Sequence, residues 1–173
     1  MVWRWTPFGA PAPETANTMS PLFSSFELQA HYIAGQPARA MELMRRMSAN
    51  FMLDDPCIAN STFIEGYASD RMLHYAPYDD DARISHAHGW ATGPTSALTF
   101  HVAGLSIVST QGKTWVLKPS PGDLEWVGAG FTTGPGTFAA KYELNGDGWP
   151  YWFQTPEGTS GSLSVETPNA WGC

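Results

Sequence analysis

The chain is short of charge, of cysteine and of long apolar runs. Asp, Glu, Lys and Arg together make up only 14% of its 173 residues. Nine Lys+Arg stand against sixteen Asp+Glu, with no cationic cluster. Phosphate backbones need a concentrated positive surface, so nucleic acid is not an expected partner. No run of about 18 apolar residues occurs, which excludes a membrane-spanning helix. Cys57 and Cys173, the two cysteines, make neither a disulfide framework nor a zinc motif. The first residues lack the basic and apolar regions of a signal peptide, and the compartment stays open. What the chain has in quantity is aromatic: 13% Phe, Trp and Tyr, with eight tryptophans, inside an apolar content of 43%. That composition builds a core and excludes a disordered chain. Trp3, Trp5 and Phe8 crowd the start. Either this segment packs back onto its own domain, or the chain starts in the middle of a larger fold.

Residue usage divides the chain. All seven methionines and five histidines lie at or before His101, all six arginines at or before Arg83, and all three lysines at or after Lys113. Residues 111–173 hold eleven of the seventeen glycines. The shift predicts a boundary near Thr110, giving domains 1–109 and 110–173, both acidic.

The first part reads as helical. Met19, Leu22, Phe23, Phe26, Ala30 and Ile33 recur at helical spacing, and Gly35 stands where a C-terminal cap belongs. Pro37 suits the first turn of a second helix, whose apolar stripe is Ala40, Met44, Met47 and Phe51. The two form an αα-hairpin. A third helix is expected over 94–103, ending at Gly104. Between them, residues 57–92 read as a long irregular connection of the kind that carries function. The second part reads as short strands at 113–117, 138–144, 150–154 and 160–165 between Gly/Pro turns, a small antiparallel sandwich.

Three features of the long connection bear on chemistry. Glu65 lies in Phe63-Ile64-Glu65-Gly66-Tyr67, where apolar neighbours should strip hydration and raise its pKa, as acid/base work requires; the plain alternative is a strand-end glutamate in water. His86-Ala87-His88, downstream of Asp79-Asp80-Asp81, could place two imidazoles on one face, but a metal site needs a third ligand and consecutive aspartates usually mark a solvated turn. Tyr67, Tyr75, Tyr78 and Trp90 surround these groups in sequence. Aromatic faces stack on the C–H faces of sugars while Asp and His bond hydroxyls, so the segment reads either as a carbohydrate cleft or as core filling. Asn60-Ser61-Thr62 is an N-glycosylation sequon, compatible with secretion of a longer parent.

Several of these motifs together resemble one family. Residues 20–30 (SPLFSSFELQA) and 35–46 (GQPARAMELMRR) are similar to a late hairpin of the (α/α) six-hairpin barrel of α-L-rhamnosidases, glycoside hydrolase family 78. Residues 61–67 (STFIEGY) resemble the following segment, which in that family carries a catalytic glutamate. Residues 85–90 (SHAHGW) and 93–98 (GPTSAL) resemble the histidine-bearing segment that leads into the last barrel helix. Residues 119–124 (PSPGDL) and 134–138 (GPGTF) look like the appended C-terminal β-sandwich, and the likeness is nearest to fungal members. The resemblance implies an α+β chain in two parts, incomplete six-hairpin toroid helices followed by a small antiparallel β-sandwich. It further implies inverting hydrolysis of α-L-rhamnosides without metal or other cofactor. By position Glu65 matches the general base and His88 the substrate-binding histidine, with His86 two residues away as the other register, while Trp90 lines the sugar pocket.

The family's general acid lies several hairpins before the matching segment, and no second carboxylate here corresponds to it. The expectation is therefore the C-terminal end of an enzyme, inactive alone. The reading from another class is a non-catalytic carbohydrate-binding or interaction module. Arg71, in the Ser69-Asp70-Arg71 turn, stands where a small residue is expected.

Overall fold

A computed structural model describes residues 4–56, 58, 62–145 and 150–164. Cys57, Cys173 and the Asn60 sequon lie outside the described residues. The chain divides into two units, Met1–Thr95 and Ser96–Cys173.

In the first unit, α1 (Pro21–Ile33) and α2 (Pro37–Met44) form the expected hairpin, each opening on a proline. The connection is a Schellman closure: Gly35 takes φ +68°, its N–H donates to Tyr32 O at 3.1 Å, and Gln36 N–H donates to His31 O at 2.8 Å. The second helix runs on as a π-helical stretch, Arg45–Leu53. Its stripe is buried as the spacing predicts, with Ala40, Met44, Met47 and Phe51 all inside. Met47, Phe51 and Met52 join Met19, Ile64, Tyr67 and Ile84 in one core. Met19 and Tyr67 also pair across β1 (Thr18–Met19) and β2 (Tyr67–Ala68).

The first helix turns a different face inward from the one its periodicity predicts. Its buried residues are Pro21, Ser24, Ser25, Leu28 and Tyr32, whereas Phe23, Phe26 and Ile33 are exposed, Ile33 by 80%. Ser25 sits so close to Gly93 that a Cβ there would lie 2.2 Å from the serine Cβ. Small residues thus set the contact, and the apolar stripe is left outside.

The aromatic start packs back onto this hairpin. Trp5 Nε1 donates to Glu27 Oε1 at 2.9 Å, and the indole meets His31 edge-on at 5.6 Å. Arg46 lies 5.9 Å from the Trp5 ring and donates to Thr6 O at 3.0 Å.

Arg71 occupies a left-handed position, φ +69°, which explains the expectation of a small residue. It is held by reach: its guanidinium donates to Asp55 Oδ2 at 3.1 Å and lies 5.9 Å from the Phe8 ring. Asp55 is buried. Arg71→Ala keeps the backbone strain and loses the ion pair with Asp55, so denaturant unfolding should show a loss of about 1–2 kcal/mol. Arg71→Gly relieves the strain, which costs a non-glycine residue about 1–2 kcal/mol, and should be the milder change. Equal losses would contradict this account.

Next comes α3 (Gly93–Ala97), continued by a π-helical stretch Leu98–Val102. In the second unit, two three-stranded sheets follow: β3 (Leu105–Ile107), β4 (Thr114–Leu117) and β8 (Ser160–Leu163); and β5 (Trp126–Thr133), β6 (Gly136–Glu143) and β7 (Tyr151–Gln154). Leu105, Trp115 and Leu117 from one sheet and Phe138 and Ala140 from the other share a core, so the sandwich is present. It is not wholly antiparallel: β4 and β8 pair in parallel, Thr114 opposite Ser160. Its first strand, β3, precedes residue 110.

Candidate active site

The Glu65 and histidine segments, distant in sequence, lie side by side. Glu65 N–H donates to Ser85 O at 2.9 Å, His88 N–H donates to Phe63 O at 2.8 Å, and Thr62 Oγ1 donates to His86 O. These bonds run residues 62–65 against 85–88 in opposite directions. Beneath them, Ile64 and Ile84 are in the core, so the pairing is anchored from below while Glu65 stays half-buried at the surface.

The Glu65 carboxylate has one donor on each oxygen. Tyr78 O–H donates to Oε1, and Ser85 N–H donates to Oε2 at 3.0 Å. Two acceptor directions are left over, enough to take a proton from water. Burial pushes the carboxyl up, but the Tyr78 and Ser85 hydrogen bonds and the field of His88 outweigh it, so its pKa falls below the ordinary 4.5. This corrects the expectation of a raised pKa: the apolar neighbours in sequence point into the core, and the carboxylate meets donors instead. Tyr78 moves the opposite way, its phenol raised chiefly by that same hydrogen bond.

Behind Tyr78 stands Tyr75, edge-on at 5.3 Å, both packed against the core. The Tyr75 ring covers Gly66, where a Cβ would lie 2.2 Å from its Cδ2. A glycine is therefore required beside Glu65. His88 and Trp90 complete the group, their rings edge-to-face at 6.2 Å. Trp90 is 72% exposed and available for stacking. His86 falls in a bend and is exposed. Of the two histidines, it is His88 whose charge reaches Glu65 and whose ring meets Trp90.

Other candidates resolve into structure. Tyr67 is fully buried and donates to Phe8 O at 2.6 Å, so it fills core and faces no cleft. Asp80 caps the short 3₁₀ turn Asp81–Arg83 by accepting from Ala82 N–H at 2.9 Å, and Asp81 pairs with His74 at 2.9 Å. Among the described residues, no three of His, Cys, Asp and Glu gather closely enough to hold a metal ion. Nor is any helix among them long and apolar enough to cross a membrane. Sequence reasoning counted Tyr78 as an aromatic and missed it as a donor. The Ser85 donor is a backbone N–H, which no residue type announces.

No family model matches the chain, and no curated protein sequence does. Solved structures do. The GH78 family rhamnosidase of Bacillus sp. GL1 is similar over 84% of this chain with TM-score 0.61 and 21% identity. The α-L-rhamnosidase from Dictyoglumus thermophilum is similar over 87% with TM-score 0.67 and 13% identity. The chain spans 16% of the length of each. At such identities the likeness is one of fold.

Proposed function

We propose that the chain is the C-terminal part of an inverting glycoside hydrolase acting on α-L-rhamnosides, the end of a six-hairpin barrel followed by a β-sandwich. Glu65 is its general base. It removes a proton from the water that attacks the anomeric carbon, on the face opposite the leaving oxygen. The general acid comes from elsewhere in the longer enzyme. His88, with His86 beside it in sequence, bonds sugar hydroxyls, and Trp90 lines the sugar pocket. The observation that carries this reading is a carboxylate kept ionised by Tyr78 and Ser85 beside His88 and Trp90, in a chain that shares its fold with α-L-rhamnosidases. The outward face of α1 supports it too. Phe23, Phe26 and Ile33 lack a cover, and further barrel helices would supply one.

Inversion is tested on the longer enzyme with an aryl α-L-rhamnoside, by following the anomer first released with NMR. The β-anomer is expected; early α-anomer would sink the mechanism. The pH profile tests Glu65 separately. Tyr78 lowers the carboxyl's pKa, so Tyr78→Phe raises it, and the acid limb of kcat/KM should move to higher pH with the alkaline limb unmoved. An acid limb that stays in place would assign it to another group.

A further inference from the structure

The β5–β6–β7 sheet has one face in the core and one in solvent, and the solvent face is unusual in what it displays. Residues directly opposite across an antiparallel pair share a face. Trp126 is opposite Glu143, Gly128 is opposite Lys141, and Lys141 is opposite Trp152. Two tryptophans on the outer strands therefore project to the same side, flanking a charged pair on the central strand. Gln154, two residues beyond Trp152, adds an amide to that side. Each tryptophan is 55% exposed. By strand geometry the two Cα atoms stand about 12 Å apart, two strands across and two residues along, wider than one pyranose ring.

The Trp126 ring lies against Gly128: a Cβ on that glycine would meet Cη2 and Cζ2 at 3.0 Å. The missing side chain at Gly128 thus makes room for the ring of a tryptophan that is still more than half exposed. Lys141 Nζ stands 6.0 Å from the ring centre and 4.0 Å from Glu143 Oε2. The central pair is close to neutral and offers both donors and acceptors.

We propose that this face is a non-catalytic platform for a neutral oligosaccharide, whose C–H faces stack on Trp126 and Trp152 while its hydroxyls bond Lys141, Glu143 and Gln154. The composition selects this occupant. Nucleic acid stacks on aromatics too, but needs a cationic groove, and Lys141 is offset here by Glu143. A covering protein segment would strip water from both charges, and interface centres are depleted of charge for that reason. Sugar hydroxyls replace the lost water bonds. The platform goes beyond the reading of Glu65 and does not depend on it.

Calorimetric titration of the whole chain with cellohexaose, xylohexaose, mannohexaose and an α-L-rhamnosyl hexasaccharide tests it. At least one should bind, and Trp126→Ala and Trp152→Ala should each weaken binding about tenfold. Trp152→Tyr should retain most of the affinity. Gly128→Val keeps both indoles but lifts Trp126 off the sheet, and should weaken binding as well. Circular dichroism checks that each variant is folded. No binding by any of the four sugars overturns the proposal. So does binding indifferent to both tryptophans, and so does binding abolished by Trp90→Ala instead, which would locate the sugar near Glu65. A tryptophan-dependent self-association without sugar binding would overturn it in favour of a second copy.

Discussion

Glu65→Gln in the longer enzyme should lower kcat on an aryl α-L-rhamnoside by about 10³-fold while KM changes little. A positioned general base contributes about 10²–10⁴-fold, and the amide cannot accept water's proton. The substitution is nearly isosteric: the amide oxygen can accept from Ser85 N–H while the amide NH2 donates to the Tyr78 hydroxyl oxygen, so the fold should be retained. A loss confined to kcat is the mark of an interaction made in the transition state; a loss confined to KM would mean that Glu65 only binds substrate. Full activity in Glu65→Gln would remove Glu65 from the mechanism altogether.

Gly66→Ala should be the most damaging small substitution near the site. The added methyl would fall 2.2–2.3 Å from Tyr75 ring atoms and 2.9 Å from its Cγ, so the ring must leave its place. Overpacking of this kind costs about 1–3 kcal/mol, readable as a lowered Tm. The displacement also reaches chemistry, because Tyr75 braces Tyr78 and Tyr78 holds Glu65. A misplaced base costs up to about 10²-fold in rate. Tyr75→Ala in the same chain makes room for the methyl. The double variant should then be more stable than the sum of the two losses predicts, and strict additivity would show that the ring is not what the methyl strikes.

The fold was legible where short-range patterning decides it. Gly35 followed by Pro37 marked the hairpin corner, and the Ala40–Met44–Met47–Phe51 stripe marked a buried face. It was illegible where distant packing decides it. Phe23 and Phe26 read as core because they are apolar at helical spacing, yet Ser24 and Ser25 face inward, since only small side chains let α1 approach Gly93. The longest strand missed is β5, whose Gly128 and Gly130 weaken every local strand signal; Gly128 leaves the room that the Trp126 ring occupies. At the site, the family resemblance singled out Glu65 and His88, and the backbone pairing that joins their segments is not readable from either alone. The direction of the Glu65 pKa depended on a phenol thirteen residues away and an amide twenty away, neither with a local signature.

The parallel pairing of β4 with β8 also bears on the order in which the second unit can assemble. The β5–β6 hairpin closes through a tight turn, Thr133 opposite Gly136, and needs no other strand. By contrast Leu117 must find Leu163, a closure that encloses all three strands of the other sheet. Loop entropy makes such a long-range pairing late. Until β8 arrives, β4 presents one bare edge of N–H and C=O groups. The interval before β8 pairs, and any interruption of β8, are therefore the moments at which this unit is most open to pairing with another chain.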